Sequence, residues 1–160
     1  METAQENISQ MLEKYGDMVM RIAYTYMKNQ ADAEDIVQDI FIQIMERPPA
    51  FNDENHEKAW LIRVTKNRCL NALKKRNTCS LDKVTPAAVY DKYTAESAVL
   101  AAVQSLSEKY RIVVYMFYYE GYSTEEIAKL LAKKHATIRS HLRRARAQLK
   151  DLLKEEYDFD

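Results

Sequence analysis

The stretch from Lys133 to Lys150, KKHATIRSHLRRARAQLK, carries Lys133, Lys134, Arg139, Arg143, Arg144, Arg146 and Lys150 and not one carboxylate. Cations at this density bind polyanions without covalent chemistry. They neutralise phosphates, while arginines and short polar side chains reach base edges in a groove. At helical spacing Ile138, Leu142, Ala145 and Leu149 form a seam that needs a partner surface. Thr137, Arg139, Ser140, Arg143, Arg144 and Ala147 fall on the far side, with Lys134 and His135 at the start and Lys150 at the end. Arg146 lies near the seam, where it is expected to brace the helix or touch a phosphate. Alone, this is an amphipathic helix with a solvated outer face; what precedes it turns it into a groove reader.

A second constellation lies upstream. Trp60, Arg63, Asn67, Asn71 and Lys74 form one line at helical offsets, with Lys66, Arg68 and Lys75 beside it. Aromatics stack on unpaired bases, amides read edges and cations hold phosphates, a mixture suited to single-stranded DNA. Trp60 taken alone reads as a core residue at a loop junction. A third set, Glu34, Asp35, Gln38 and Asp39 with Ile42 beside it, is an acidic face with an apolar spot, the makings of a protein contact. Acids near a helix start also suit the helix dipole, a sufficient structural role for Glu34 and Asp35. Enzymatic chemistry has no such foundation. His56, His135 and His141 do not make HExxH, neither GxSxG nor a P-loop occurs, and no carboxylate cluster has metal-ligand spacing. No metal or cofactor is expected.

These sets need helices to hold them. Only two glycines and three prolines punctuate the chain, and strong helix formers dominate, so the expected fold is all-α. The first helix is expected from about Ala4 to Lys28, with Ile8, Met11, Leu12, Tyr15, Val19, Ile22, Tyr26 and Met27 inward. Asn29 offers a cap for DAEDIVQDIFIQIMER, whose core face is Ala33, Ile36, Val37, Ile40, Phe41 and Ile44. Pro48-Pro49 ends that helix, and the loop AFNDENHE leads to a third, from near Asn55 to Arg76, with Leu61, Ile62, Thr65, Cys69, Ala72 and Leu73 inward. Residues 77–95 lose the helical period and read as a linker between modules able to reorient. AESAVLAAVQSL follows, amphipathic through Val99, Val103 and Leu106. Ser107 then caps SEKYRIVVYMFYYE, apolar nearly all round and so the buried central helix. Ser123 and Glu126 form a capping box, with Ile127, Leu130 and Leu131 inward. A turn near Ala132–Lys134 joins this helix to the basic one, the helix-turn-helix arrangement without its usual turn glycine.

The predicted organisation is therefore an N-terminal helical domain over 1–76, the linker, a helix-turn-helix domain over 96–154 and an acidic tail over 155–160. The zero net charge sums segments of opposite sign, and two basic surfaces in a neutral chain suggest two contacts with one polyanion. No apolar run approaches the ~20 residues of a membrane span, so no membrane insertion is expected. The N-terminus lacks the pattern of a secretion signal. Cys69 and Cys79 are too few for a disulfide framework, which suggests a cytoplasmic protein with incidental thiols.

Taken in order, these motifs resemble a bacterial RNA polymerase sigma factor of the extracytoplasmic-function group. DAEDIVQDIFIQIM is similar to the family's polymerase-binding helix, AWLIRVTKNRCLNALKKR to the helix that engages the promoter minus-ten element, and GYSTEEIAKLLAKKHATIRSHLRRARAQLK to the helix-turn-helix that reads the minus-thirty-five element. The resemblance covers roughly residues 10–150. It implies that Glu34, Asp35, Gln38, Asp39 and Ile42 dock on the clamp helices of core RNA polymerase, and that Trp60, Arg63, Asn67, Asn71 and Lys74 sit against the minus-ten element. The loop with Phe51, Asn52, Asn55 and His56 would capture a flipped base. Lys134, His135, Thr137, Arg139, Ser140, Arg143, Arg144 and Lys150 would contact the minus-thirty-five element. It further implies promoter DNA and core polymerase as partners, an anti-sigma factor as inhibitor and no catalysis. The chain departs from the family at Asn71, usually acidic, and at Ala132 and Ala136, usually glycine. A helix-turn-helix repressor that binds duplex DNA without polymerase is the rival, but it has no use for the line around Trp60.

Overall fold

The computed structural model describes residues 4–79 and 95–154, with side chains described over 6–76, at 99 and over 101–154. Every regular element among them is helical, and they fall in two compact units. The expected linker, apart from 77–79 and 95, and the acidic tail lie outside the described residues.

The first unit packs α1 (Ala4–Met27), α2 (Gln30–Glu46) and α3 (Glu54–Cys79). α1 buries Tyr15, Met18, Val19, Ile22, Ala23, Tyr26 and Met27. Leu12, expected inward, is 47% exposed: the periodicity identifies the face, but the core begins only at Tyr15. The chain leaves α1 through Lys28 in the left-handed region (φ 69°). Asn29 then caps α2, its Oδ1 accepting from the Asp32 N–H at 2.8 Å and its Nδ2 donating to Asp32 Oδ2 at 2.7 Å. Arg76, near the far end of α3, donates to the same carboxylate. The Asn29 amide and then Arg76 hold Asp32 below its ordinary range.

α2 buries Ala33, Ile36, Ile40, Phe41 and Ile44 as the spacing predicts, with Val37 half-buried. α3 starts one residue earlier than expected, because Asp53 caps it: its Oδ1 accepts from the His56 N–H at 2.8 Å and its carbonyl from the Glu57 N–H at 3.1 Å. It also runs past Arg76 to Cys79, so residues 77–79 extend the helix instead of opening a linker. Leu61, Ile62, Thr65 and Cys69 are buried, whereas Ala72 and Leu73 are half-buried. Thr65 donates to the Leu61 carbonyl at 2.6 Å, which satisfies its buried hydroxyl. Burial pushes the Cys69 thiol up to about 12, so it stays protonated and unreactive.

The second unit contains α4 (Ala95–Ser105), α5 (Glu108–Val114), α6 (Thr124–Leu131) and α7 (His135–Leu153). Val99, expected inward, is 42% exposed; among the described side chains of α4 Ala102 is buried and Val103 packs against the core as expected, with Leu106 just beyond the helix. Ser107 takes the cap position of α5 but makes no side-chain cap bond. Its carbonyl instead accepts from the Tyr110 and Arg111 N–H groups. The expected single helix through Glu120 does not form: after Val114 the chain widens into a π turn, Tyr115–Tyr119, with the Glu120 N–H donating to the Tyr115 carbonyl at 3.2 Å. Tyr110 to Val114 and Met116 are buried, but Tyr118 and Tyr119 point outward. Arg111 is buried too, donating to the Leu106 carbonyl beyond the end of α4.

The capping box at Ser123 and Glu126 forms in both directions, at 3.1 and 3.0 Å. α6 buries Ile127, Ala128 and Leu131, with Leu130 half-buried. It ends in a Schellman motif, the Lys133 N–H donating to the Ala128 carbonyl at 2.9 Å and the Ala132 N–H to the Lys129 carbonyl at 3.3 Å. Ala132 supplies the left-handed residue (φ 57°, ψ 48°) where glycine is unstrained. Ala132→Gly is therefore expected to stabilise this unit by about 1 kcal/mol, the relief of strain exceeding the added freedom of the unfolded chain. A higher urea midpoint at unchanged slope would show it; a lower midpoint would contradict it.

Candidate nucleic-acid interface

α7 is fixed by its seam. Ile138, Leu142 and Ala145 are buried, Ala145 within a cluster of Leu106, Tyr110 and Val114 against which Leu149 packs. That anchorage leaves Lys134, Arg139, Arg143, Arg144 and Lys150 exposed, with Thr137 and Ser140 half-buried at their base. His135 does not join them freely. Its Nε2 lies 2.8 Å from Thr124 Oγ1 and clasps the start of α7 to the start of α6. Its first task is thus to hold the helix-turn-helix together, a tie that sequence spacing does not reveal.

Arg146 is tied back as well. Its Nε donates to the Tyr118 hydroxyl at 2.6 Å, and its guanidinium carbon lies 5.3 Å from the Phe117 ring centre and 5.6 Å from that of Tyr118. The π turn presents both rings, so the bracing suggested by the position of Arg146 has a specific partner.

In the first unit, Arg63, Asn67, Asn71 and Lys74 are exposed along α3. Phe51, His56 and Trp60 instead engage one another. Phe51 packs edge-on against His56 at 5.4 Å and against Trp60 at 5.6 Å, and His56 Nδ1 accepts from the Asn52 N–H at 3.1 Å. The loop is thereby held in shape with Asn52 and Asn55 outward, and half-buried Trp60 serves as its pin. A groove of about 490 Å³, lined by Ile8, Met11, Tyr15, Pro49 and Phe51, opens between this loop and α1; sequence reasoning missed it.

On α2, Glu34, Asp35, Gln38, Asp39 and Ile42 are all exposed. Met45, 52% exposed beside Ile42 at 51%, widens the apolar spot. Its place three residues after Ile42 could have disclosed it. Arg68 reaches this face from α3, donating to Gln43 Oε1 and lying 3.9 Å from Asp39. An exposed pair of that length contributes little stability, so the carboxylate remains available to a partner. Among the described residues no group of His, Cys, Asp or Glu could hold a metal, and no helix is long and apolar enough to cross a membrane.

Comparison with known proteins matches residues 11–78 to the family model of sigma-70 region 2 and residues 96–149 to that of sigma-70 region 4. The extracytoplasmic-function (ECF) RNA polymerase sigma factor SigE of Mycolicibacterium smegmatis is 29% identical, the alignment covering 95% of this chain and 63% of SigE. SigM of Mycobacterium tuberculosis is 28% identical over 90% of this chain and 76% of its own, and SigZ of Bacillus subtilis 24% identical over 92% and 87%. The chain thus spans less than two thirds of SigE and most of the other two. Among solved structures, the sigma factor RpoE in complex with the anti-sigma factor NepR from Bartonella quintana superposes with a TM-score of 0.73 at 23% identity, covering 94% of this chain and 99% of that one. CnrH in complex with the cytosolic domain of CnrY gives 0.67 at 21% identity, covering 96% and 91%. At these identities the two structures establish a shared fold.

Proposed function

Since this chain belongs to the sigma-70 family, in its extracytoplasmic-function group, we propose that it is a transcription initiation factor that directs core RNA polymerase to promoters. The observation that carries the reading is the order of three exposed faces along two units: the acidic and apolar face of α2, the amide and cation line of α3, and the cations of α7 on a clasped helix-turn-helix. Glu34, Asp35, Gln38, Asp39 and Ile42, widened by Met45, bind the polymerase. Arg63, Asn67, Asn71 and Lys74, with the loop pinned by Trp60 and Phe51, stabilise the melted strand at the minus-ten element. Arg139, Ser140 and Arg143 read the minus-thirty-five element while Lys134, Arg144 and Lys150 hold phosphates.

The chain performs no chemistry in this scheme. It lowers the free energy of the open complex by binding it in preference to the closed one. It works in the cytoplasm beside the polymerase, and an anti-sigma protein is its inhibitor, as NepR is the anti-sigma factor bound to RpoE. Run-off transcription with core polymerase on genomic fragments tests the proposal: new start sites are expected only when this chain is added. No new start under any condition would refute it.

A further inference from the structure

The apolar stripe of α1 runs on past the core. Ile8 and Met11 continue the face that carries Tyr15, yet both are only half-buried, because the core begins at Tyr15. Together with Ile44 near the end of α2 and with Pro49 and Phe51 of the loop, they wall the groove of about 490 Å³. That volume falls within the roughly 300–1,000 Å³ of small-molecule sites. Of the side chains assigned above to the minus-ten strand only Phe51 reaches it; Asn52, Asn55, His56 and the line from Arg63 to Lys74 do not.

The polar lining comes together at Tyr15. Lys14 Nζ stands 5.3 Å from the Tyr15 ring centre and pairs with Glu54 on the first turn of α3. Glu57, one turn on from Glu54, lines the groove half-buried and forms no ion pair among the described residues. Tyr15 is 5% exposed, and its hydroxyl has no hydrogen-bond partner among those residues. Burial first, then Glu57, raises the phenol above its ordinary range, so it stays protonated. A shielded carboxylate without a cation and a buried hydroxyl without a partner are both costly.

We propose that this groove binds a small organic cation, a protonated amine on an apolar or aromatic body, with the ammonium donating to the Glu57 carboxylate and the body lying between Ile8, Met11, Pro49 and Phe51. Glu54 offsets the charge of Lys14, so Glu57 sets the sign of the site. A charge-assisted bond there is stronger than a neutral one. An unstacked nucleobase is uncharged and leaves that carboxylate unanswered. Tyr15 is a positioning residue, its hydroxyl donating to the Glu57 carboxylate once the ammonium orders it. Phe51 is both a wall of the groove and the ring that packs on His56 and Trp60, so an occupant steadies the loop as well. The binding itself does not depend on the function proposed for that loop.

The test titrates the full chain at neutral pH with 2-phenylethylamine, 2-phenylethanol and 3-phenylpropionate, which place an ammonium, a hydroxyl and a carboxylate on one aromatic body. Trp60 is the only tryptophan of the chain, so its emission reports the loop, and the amide NMR signals of Ile8, Met11 and Phe51 locate the probe. The amine is expected to bind saturably and about 10- to 150-fold more tightly than the alcohol, with the carboxylate weakest. Glu57→Gln is expected to bring the amine to the level of the alcohol, whose own binding persists and shows the groove intact. Tyr15→Phe should cut the preference for the amine by about 2- to 10-fold. Equal binding of all three probes by the wild type, no saturable binding of the amine, or an unchanged preference in both variants would overturn the proposal. Deoxyadenosine that displaces the amine at an equal or lower concentration, or a dimer of the chain that shuts it out, assigns the groove to another occupant and overturns it too.

Discussion

Ile138→Ala is expected to abolish promoter binding although Ile138 touches no DNA. Its side chain is 1% exposed, on the first turn of α7 where that helix must seat before its cations can be presented. Truncation removes buried methyl groups and leaves a cavity, at a cost of about 2–5 kcal/mol. A helical unit of roughly 60 residues has about 3–9 kcal/mol in total, so the loss takes much or all of it. Ile138→Val, costing about 0.5–1.5 kcal/mol, should retain both fold and binding. Thermal unfolding by circular dichroism, run beside duplex binding, separates the cases. An unchanged melting temperature in Ile138→Ala would contradict the packing described.

The second large effect concerns specificity. Arg143 is exposed on the outer side of α7 and, unlike Arg146, is held back by no ring or hydroxyl among the described residues. A bidentate contact to one guanine contributes about 1–3 kcal/mol of discrimination. Arg143→Ala should therefore reduce the preference for the correct base pair at one position by about 5- to 150-fold, leaving the other positions as they were. Lys150→Ala should weaken all sequences alike. Transcript yield from promoters substituted at single upstream positions distinguishes the two. Unchanged promoter choice in Arg143→Ala would overturn the assignment of this helix.

The sequence disclosed most where periodicity and local bonds act together. The seam Ile138, Leu142, Ala145, the core face of α2 and the capping box at Ser123 depend only on residues a turn or so apart, and each formed as expected. Leu12 and Val99 misled because a helical stripe shows which side packs but not how far along the partner extends. The π turn had no signature, since YMFYY is aromatic on every side and carries no phase. Arg111 and His135 are settled by partners invisible to spacing, a backbone carbonyl and a threonine 11 residues away. In the candidate site, residue type and order suggested the kind of ligand proposed for each face. Which of those side chains is already engaged, as with Phe51, Trp60 and Arg146, depended on tertiary contacts.

The Schellman turn at Ala132 and the clasp between His135 and Thr124 bear on the entropy of recognition. Together they fix the angle between α6 and α7 when the unit folds, so in the proposed function a duplex meets a reader whose backbone is already ordered. What remains to be immobilised is the rotamers of Arg139, Arg143 and Arg144, on the order of 0.5–1.5 kcal/mol for each long side chain. The freedom left to lose in the proposed reader thus lies in the tips assigned to bases and phosphates, and the left-handed alanine is the strain that accompanies that economy of motion.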